Sequence, residues 1–241
     1  MSALDVVHCD NHLLVVRKPA GMAVVPDASG DASLLEQARA WIAREFAKPG
    51  AAFLGVVHRL DRPVSGLVVF ARTSKAAARL SAQWREHAVE KIYWGVGAGA
   101  PRESAGELEE HLSKDEERNV VAGVPPETPG ARAARTRWRV LERREGRTLF
   151  EFQPLTGRPH QLRHCARRLG TPLLGDLKYG AERALPDASI ALHAARLRVR
   201  HPTRSIQFTF AARPPEGPAW SFEHVLGWNE AAVVVAPDEP V

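Results

Sequence analysis

The sequence predicts an α+β protein built on a mixed, mainly antiparallel sheet with flanking helices. Three observations carry this. Short apolar or alternating runs that read as strands outnumber helical patterns. The strands do not alternate with helices in a regular β-α-β rhythm. The late runs around Leu197, Val199, Ile206, Phe208 and Phe210 alternate with charged, polar or small residues, the signature of strands with one face on a core.

In chain order, Leu13-Leu14-Val15-Val16 is a strand broken by the turn Lys18-Pro19-Ala20-Gly21. Ser33 is an N-cap for a helix that carries Leu34, Leu35, Ala38, Trp41, Ile42 and Phe46 at helical spacing and stops at Pro49-Gly50. Gly66 to Ala71 reads as a buried strand. Ser74 then caps a helix with Ala77, Leu80, Trp84 and Ala88 on one face. Ile92 to Val96 is a strand, followed by a turn over Gly97 to Pro101. Val121 to Gly130, with Pro125, Pro126 and Pro129, reads as a loop. Trp138–Leu141 and Leu149–Phe152 form a strand pair across the Arg144-Glu145-Gly146 turn, and His160 to Leu169 is a helix ending at Gly170. We expect one domain over 1–228 and a loosely held tail over 229–241.

Composition narrows the function. A chain of 241 residues with 44% apolar side chains can bury a good core. Its two cysteines, Cys9 and Cys165, are too few for a disulfide framework or a four-thiolate zinc site. No apolar run nears the roughly 20 residues of a membrane helix, and the N-terminus lacks a secretory pattern. A soluble cytoplasmic protein is the expectation. The formal charge of +5 suits a polyanionic partner. The charge is uneven: Glu103 to Glu117 is acid-rich, while Arg132 to Arg147, Arg158 to Lys178 and Arg196 to Arg204 are basic. Each run alone reads as a solvated face; several converging on one face would make a phosphate-binding surface.

The most informative segment is His58-Arg59-Leu60-Asp61-Arg62-Pro63-Val64-Ser65-Gly66-Leu67, which sets one carboxylate in a tight turn before a buried strand. A lone Asp there is usually a turn former. Five other segments change that weighting: Lys18-Pro19-Ala20-Gly21-Met22, Lys91-Ile92-Tyr93, Leu155-Thr156-Gly157-Arg158-Pro159-His160-Gln161-Leu162-Arg163, Gly175-Asp176-Leu177-Lys178-Tyr179-Gly180, and Leu192-His193-Ala194 with His201-Pro202. In order and spacing the set resembles the RluA-type RNA pseudouridine synthases, from about Asp5 to Phe210.

That resemblance implies a bent sheet crossed by a central RNA-binding cleft and the isomerisation of particular uridines in ribosomal or transfer RNA. It implies no cofactor and no metal. Asp61 would be the catalytic carboxylate, as nucleophile or base. Arg163 would be its ionic partner, since a guanidinium stays charged and bonds a carboxylate in two places. Tyr93 would lie beside the target base. Arg59 would fill the space left by the base or hold a flanking phosphate. His58, Arg158, His160, Gln161 and Lys178 complete the expected substrate-binding set, although His58 also reads as a structural residue bonding across the turn. Lys18 either supports the fold or meets phosphate. RNA is the expected partner, no membrane is involved, and a monomer is expected. A catalytically silent RNA-binding factor with the same fold is the alternative.

His160 and His164 lie four apart on the expected helix, a superficial likeness to a zinc-protease helix. Gln161 stands where that chemistry needs a glutamate, and no third ligand is evident. The chain departs from the family pattern at Val64, where a Thr is usual, and at His164-Cys165-Ala166, where Val-His-Leu-Ala is common. It also begins almost at the catalytic core, without the small N-terminal RNA-binding domain that many members carry, and the 102–130 stretch reads as insertions shaping the cleft.

Overall fold

The first strong strand is buried on both faces. Leu13, Leu14, Val15 and Val16 are all fully buried, as is Lys18 at the strand's end. Each such aliphatic side chain contributes about 1.5–3 kcal/mol, which offsets the cost of taking the lysine out of water. The computed structural model describes residues 4–47, 52–228 and 233–237. Over the first 90 residues the elements are β1 (Val6–Cys9), β2 (Leu13–Lys18), α1 (Leu34–Glu45), β3 (Gly55–Val56), β4 (Ser65–Ala71) and α2 (Ser74–Arg85). Then follow β5 (Glu90–Ala98), β6 (Ala105–Asp115), β7 (Val120–Val124), β8 (Arg132–Arg144), β9 (Arg147–Pro154), α3 (Gln161–Arg168), β10 (Leu192–Arg200), β11 (Ile206–Ala211), α4 (Glu223–Leu226) and β12 (Val233–Pro237). Among the described residues no helix is long and apolar enough to cross a membrane.

The chain divides into two units. The first comprises residues 1–90, 194–213 and 229–241. In it β2 pairs antiparallel with β1 and β4, and β11 pairs antiparallel with β10 and β12. Leu13, Val15, Leu67, Val69, Leu197, Val199, Phe208 and Phe210 meet Ala76 and Leu80 of α2 in one core. Helix α1 starts with a capping box: the Glu36 backbone N–H donates to Ser33 Oγ, and Glu36 Oε2 accepts from the Ser33 backbone N–H at 2.8 Å. Its next free N–H groups, on Leu34 and Leu35, donate to the carbonyls of Ala23 and Val24. The second helix is capped by Thr73 and not by Ser74, which is its first helical residue.

The second unit comprises residues 91–193 and 214–228. Its strands run in the order β5-β9-β8-β6-β7, with antiparallel pairing throughout. Strands β8 and β9 turn at Glu145-Gly146, both at positive φ, as a two-residue hairpin requires. Phe150 and Phe152 stack on one another and are fully buried. Two expectations change here. The stretch read as a loop over Val121 to Gly130 begins as strand β7, because Val120 and Val121 bury against Leu112, Ala134 and Tyr179. The acid-rich run is strand β6 of the same sheet.

The expected tail is also ordered in part. Residues 233–237 form β12 in register with β11, Phe208 opposite Val235. The rest of the 229–241 span lies outside the described residues.

Gly66 is the second residue of β4, just past the Asp61 turn. Its φ is +120°, and a Cβ there would stand 2.4 Å from the Ala194 backbone nitrogen and 2.5 Å from its oxygen. Only glycine permits that approach. Gly66→Ala should therefore lower the unfolding free energy by about 2–3 kcal/mol or more, read from urea denaturation of the purified chain; an unchanged midpoint would contradict the close approach.

Candidate active site

The residues singled out in the sequence divide between the two units: His58, Arg59 and Asp61 in the first, Tyr93, Arg158, His160, Gln161, Arg163 and Lys178 in the second.

The Asp61 turn is fixed from below by its neighbours and from the side by Lys18. Leu60 and Val64 are buried on either side of the half-buried Asp61. The Val64 N–H donates to the Asp61 carbonyl at 3.1 Å. Lys18 Nζ donates to the carbonyls of Pro19 at 2.9 Å, Met22 at 2.7 Å and Arg62 at 3.0 Å. An ammonium has three donors, and all three are used. Gly21, at φ +81°, donates its N–H to the Arg62 carbonyl at 2.9 Å. The Lys-Pro-Ala-Gly turn and the Asp61 turn are thus one hydrogen-bonded block. Burial pushes the Lys18 ammonium down to about 7; the Asp61 carboxylate opposes that fall and the Arg62 charge adds to it. Of the two sequence readings of Lys18, the structure selects support of the fold.

His58 accepts the Val69 backbone N–H at Nε2, 2.9 Å away, which places its proton on Nδ1. The ring stacks on Trp84 with centroids 4.7 Å apart. It bonds across the turn onto β4. Arg59 is solvent-exposed.

In the second unit Arg163 lies on α3 and its side chain is 6% exposed. Its Nε and Nη2 donate to Asp176 Oδ2 and Oδ1, both at 2.7 Å. The guanidinium carbon sits 5.0 Å from the Tyr179 ring centroid. The Tyr179 hydroxyl accepts the Val121 N–H at 2.7 Å and shares a hydrogen bond with His160 Nδ1 at 2.9 Å. This explains the Gly175-to-Gly180 motif. Gly175 has φ +83° and its missing Cβ leaves room for the Ser189 carbonyl. Asp176 is buried and holds Arg163 edge-on, and Tyr179 covers the guanidinium face. Asp176 and Tyr179 belong to the site, and sequence reasoning quoted their motif without assigning them. The sequence carried no signal for this pairing: a buried arginine requires an anion, but its burial is seen only in the structure.

Gln161 is buried, with every partner inside the protein. Its Oε1 accepts from Thr156 Oγ1 and the Arg158 N–H, and its Nε2 donates to the Arg135 carbonyl and Thr136 Oγ1. It braces the turn before α3. Arg158 Nε donates to the Ala133 carbonyl, and the exposed Lys178 Nζ to that of Asn119. Tyr93 is half-buried on β5 opposite Phe152 of β9. His164 pairs with Glu110 at 3.2 Å, and among the described residues no group of three or more His, Cys, Asp or Glu could hold a metal ion.

Three arginines of the basic run on β8 are paired with glutamates within the unit. Glu107 accepts from Arg135 and Arg137, and Glu151 accepts from Arg139, each at 2.7–2.8 Å. Cross-strand register makes these pairs, since β6 places Glu107 directly opposite Arg137. That stretch is a solvated face, as each run read alone in the sequence.

A mixed sheet with a carboxylate turn braced by a buried lysine defines a class, and the comparisons identify it. The family model described as RNA pseudouridylate synthase matches residues 12–167. An uncharacterized RNA pseudouridine synthase of Synechocystis sp. is 33% identical, covering 88% of this chain and 66% of its own length. A ribosomal large subunit pseudouridine synthase C of Vibrio parahaemolyticus is 32% identical over 82% of this chain and 62% of its own. A ribosomal large subunit pseudouridine synthase D of Zymomonas mobilis is 34% identical, with 88% and 70% covered. The solved structure of human RNA pseudouridylate synthase domain containing 4 superposes with a TM-score of 0.73 at 25% identity, over 88% of each chain. The chain belongs to the RNA pseudouridylate synthase family, and the fold is the α+β fold of that family. It spans slightly less than two thirds of the first two relatives' length.

The buried lysine makes stability pH-dependent with a definite sign. Its folded value of about 7 lies below the ordinary 10.5. Between those values the unfolded chain holds more protons than the folded one, so this group makes unfolding free energy rise with pH, by at most about 1.4 kcal/mol per unit. Lys18→Met should remove that contribution, flattening the slope between pH 7.5 and 9.5 in paired urea titrations. It should also lower stability overall by roughly 2–5 kcal/mol, because three carbonyls lose their donor. Identical slopes in the two proteins would refute a buried titrating ammonium.

Proposed function

We propose that this chain is an RNA pseudouridine synthase acting on ribosomal RNA, with Asp61 as its catalytic carboxylate. The observation that carries the reading is the family match over residues 12–167, which includes Asp61, Tyr93 and Arg163. The ribosomal substrate is supported by the names of the relatives from Vibrio and Zymomonas. The chain acts as a monomer in the cytoplasm, where ribosomal RNA is found.

The reaction is an isomerisation. The bond from ribose C1′ to uracil N1 breaks, the freed base turns, and C1′ bonds to C5. The C5 proton is lost and N1 gains one, so atoms and electrons balance without an external oxidant or reductant. An ionised carboxylate supplies the nucleophile or base that starts it. A carboxylate in a dry site keeps its charge only beside a cation. Arg163 takes that role in the proposal, and Asp176, which engages its Nε and Nη2 edge, fixes the direction of the guanidinium before substrate arrives, which is where electrostatic catalysis gains most.

The target uridine leaves its stack to be reached. Tyr93 lies against the extruded base, where its hydroxyl relays a proton. Arg59 fills the vacated space or holds the flanking phosphate. Arg158 and Lys178 bind phosphates, so affinity falls as salt rises. His58 supports the Asp61 turn in the first unit, and Gln161, beside His160, supports the turn before α3 in the second.

Purified protein incubated with unmodified large-subunit ribosomal RNA should convert particular uridines, detected as pseudouridine by chemical mapping. Asp61→Asn should lower the single-turnover rate by at least roughly 10²–10⁴-fold with RNA affinity nearly unchanged. Substantial residual turnover in Asp61→Asn would sink its assignment; RNA binding with no conversion by the unmutated protein would favour a silent binding factor.

A further inference from the structure

Arg62 follows Asp61 directly, in a basic protein, with its side chain 34% exposed. Its position suggests a phosphate contact. The geometry says otherwise, because a guanidinium has five N–H donors and all five are occupied. Nε faces Asp27 Oδ2 at 3.3 Å. Nη1 donates to Asp31 Oδ2 at 2.8 Å and to the Gly21 carbonyl at 3.2 Å. Nη2 donates to Asp27 Oδ1 at 2.7 Å and to Ser29 Oγ.

The acceptors form a compact knot. Ser29 donates its N–H and its hydroxyl to Asp27 Oδ1 at 3.0 and 2.7 Å, and the Asp31 N–H donates to Ser29 Oγ at 3.1 Å. The Gly30 N–H closes the loop onto the Asp27 carbonyl. Arg62 holds the Asp27 carboxyl down to about 2, with help from Ser29, so the knot stays charged throughout the working pH range. Its main chain is tied to the same segment, since its carbonyl accepts from Lys18 Nζ and the Gly21 N–H. Residue 62 is therefore fastened by both backbone and side chain to residues 18–31, one bond away from the residue read as catalytic.

We infer that Arg62 is a positioning residue for Asp61: it clamps the 27–31 loop onto the turn that carries the carboxylate, and it does not bind RNA phosphate. The inference rests on Asp61 being the catalytic group. Exposed ion pairs add little to global stability, so the clamp acts on orientation. A phosphate contact would have to strip Arg62 from Asp27 or Asp31, leaving a bare carboxylate beside the approaching backbone.

The two roles predict opposite signs for one substitution. If Arg62 clamps, Asp27→Asn weakens the clamp and slows the reaction. If Arg62 binds phosphate, Asp27→Asn frees the guanidinium and tightens RNA binding. The experiment measures the saturating single-turnover rate, the RNA dissociation constant and its salt dependence for Arg62→Ala, Asp27→Asn, the double variant and Asp61→Asn. We expect Arg62→Ala and Asp27→Asn each to slow the saturating rate roughly ten- to a hundredfold, since a small misplacement costs that much, with dissociation constants and salt slopes near those of the unmutated protein. The double variant should be no slower than the slower single one. Arg62→Ala with an unchanged saturating rate and a salt slope smaller by about one would overturn the clamp, as would tighter binding by Asp27→Asn or no effect of either. Asp27→Asn lies on an exposed loop and tests the idea even where Arg62→Ala folds poorly. Asp61→Asn separates the two levels: if it stays active, the parent assignment has failed; if it is dead while Arg62→Ala and Asp27→Asn are normal, only the clamp has failed.

Discussion

One buried ammonium organises the catalytic turn. Lys18 ends a strand whose four aliphatic side chains are wholly out of water, and it is itself fully buried. Charge in such a place is expensive, and its lowered pKa records that expense. Its three donors meet three backbone carbonyls from two separate turns. Those carbonyls are obligatory acceptors, and the Arg62 carbonyl accepts the Gly21 N–H as well. The lysine therefore joins segments 44 residues apart in sequence, and the backbone next to Asp61 inherits the rigidity of β2. Gly66 completes the arrangement, since its missing Cβ lets β4 leave the turn directly beneath the Ala194 backbone.

The second unit also buries a cation, but pairs it with a carboxylate instead of backbone carbonyls. There a buried cation on α3 is held by a buried carboxylate, and a tyrosine whose hydroxyl is itself anchored covers the guanidinium face. Breaking such a pair from one side costs about 3–5 kcal/mol, so Asp176 matters as much as the arginine it holds. On β6, β8 and β9 three surface arginines, Arg135, Arg137 and Arg139, are paired with glutamates across the strands. Net charge alone thus overstates how much of this protein is available to a polyanion: a run of arginines in sequence is a phosphate site only where the register leaves it unmatched.

Much of this was legible in the sequence, and the reasons differ by element. The apolar runs of β2 and β4, the Ser33 N-cap and the turn at Glu145-Gly146 are local, and local chemistry decided them. The Asp61 motif was legible because its spacing recurs with five others. Strand β7 was hidden by the prolines that follow it; only its packing against Leu112, Ala134 and Tyr179 makes it a strand. Strand β12 owes its existence to the free edge of β11, which no tail sequence announces. The cap of α2 fell on Thr73 instead of Ser74, a one-residue choice between two good cap formers. The partners Asp176 for Arg163 and Asp27 for Arg62 were illegible for another reason: sequence gives the arginine and the acid but not the side-chain geometry that joins them. Gln161 likewise stood among the expected substrate contacts, yet its amide is committed to the backbone around it.

The central claim is that the Asp61 turn is rigid before RNA arrives, held by Lys18. Amide hydrogen exchange of the RNA-free protein tests it most directly, read at Gly21 and Val64, whose N–H groups donate to the Arg62 and Asp61 carbonyls. The account predicts strong protection at both amides in the unmutated protein and loss of that protection in Lys18→Met, while β2 amides stay protected. Exchange at Gly21 and Val64 as fast as in an open turn, or protection unaltered by Lys18→Met, would contradict it.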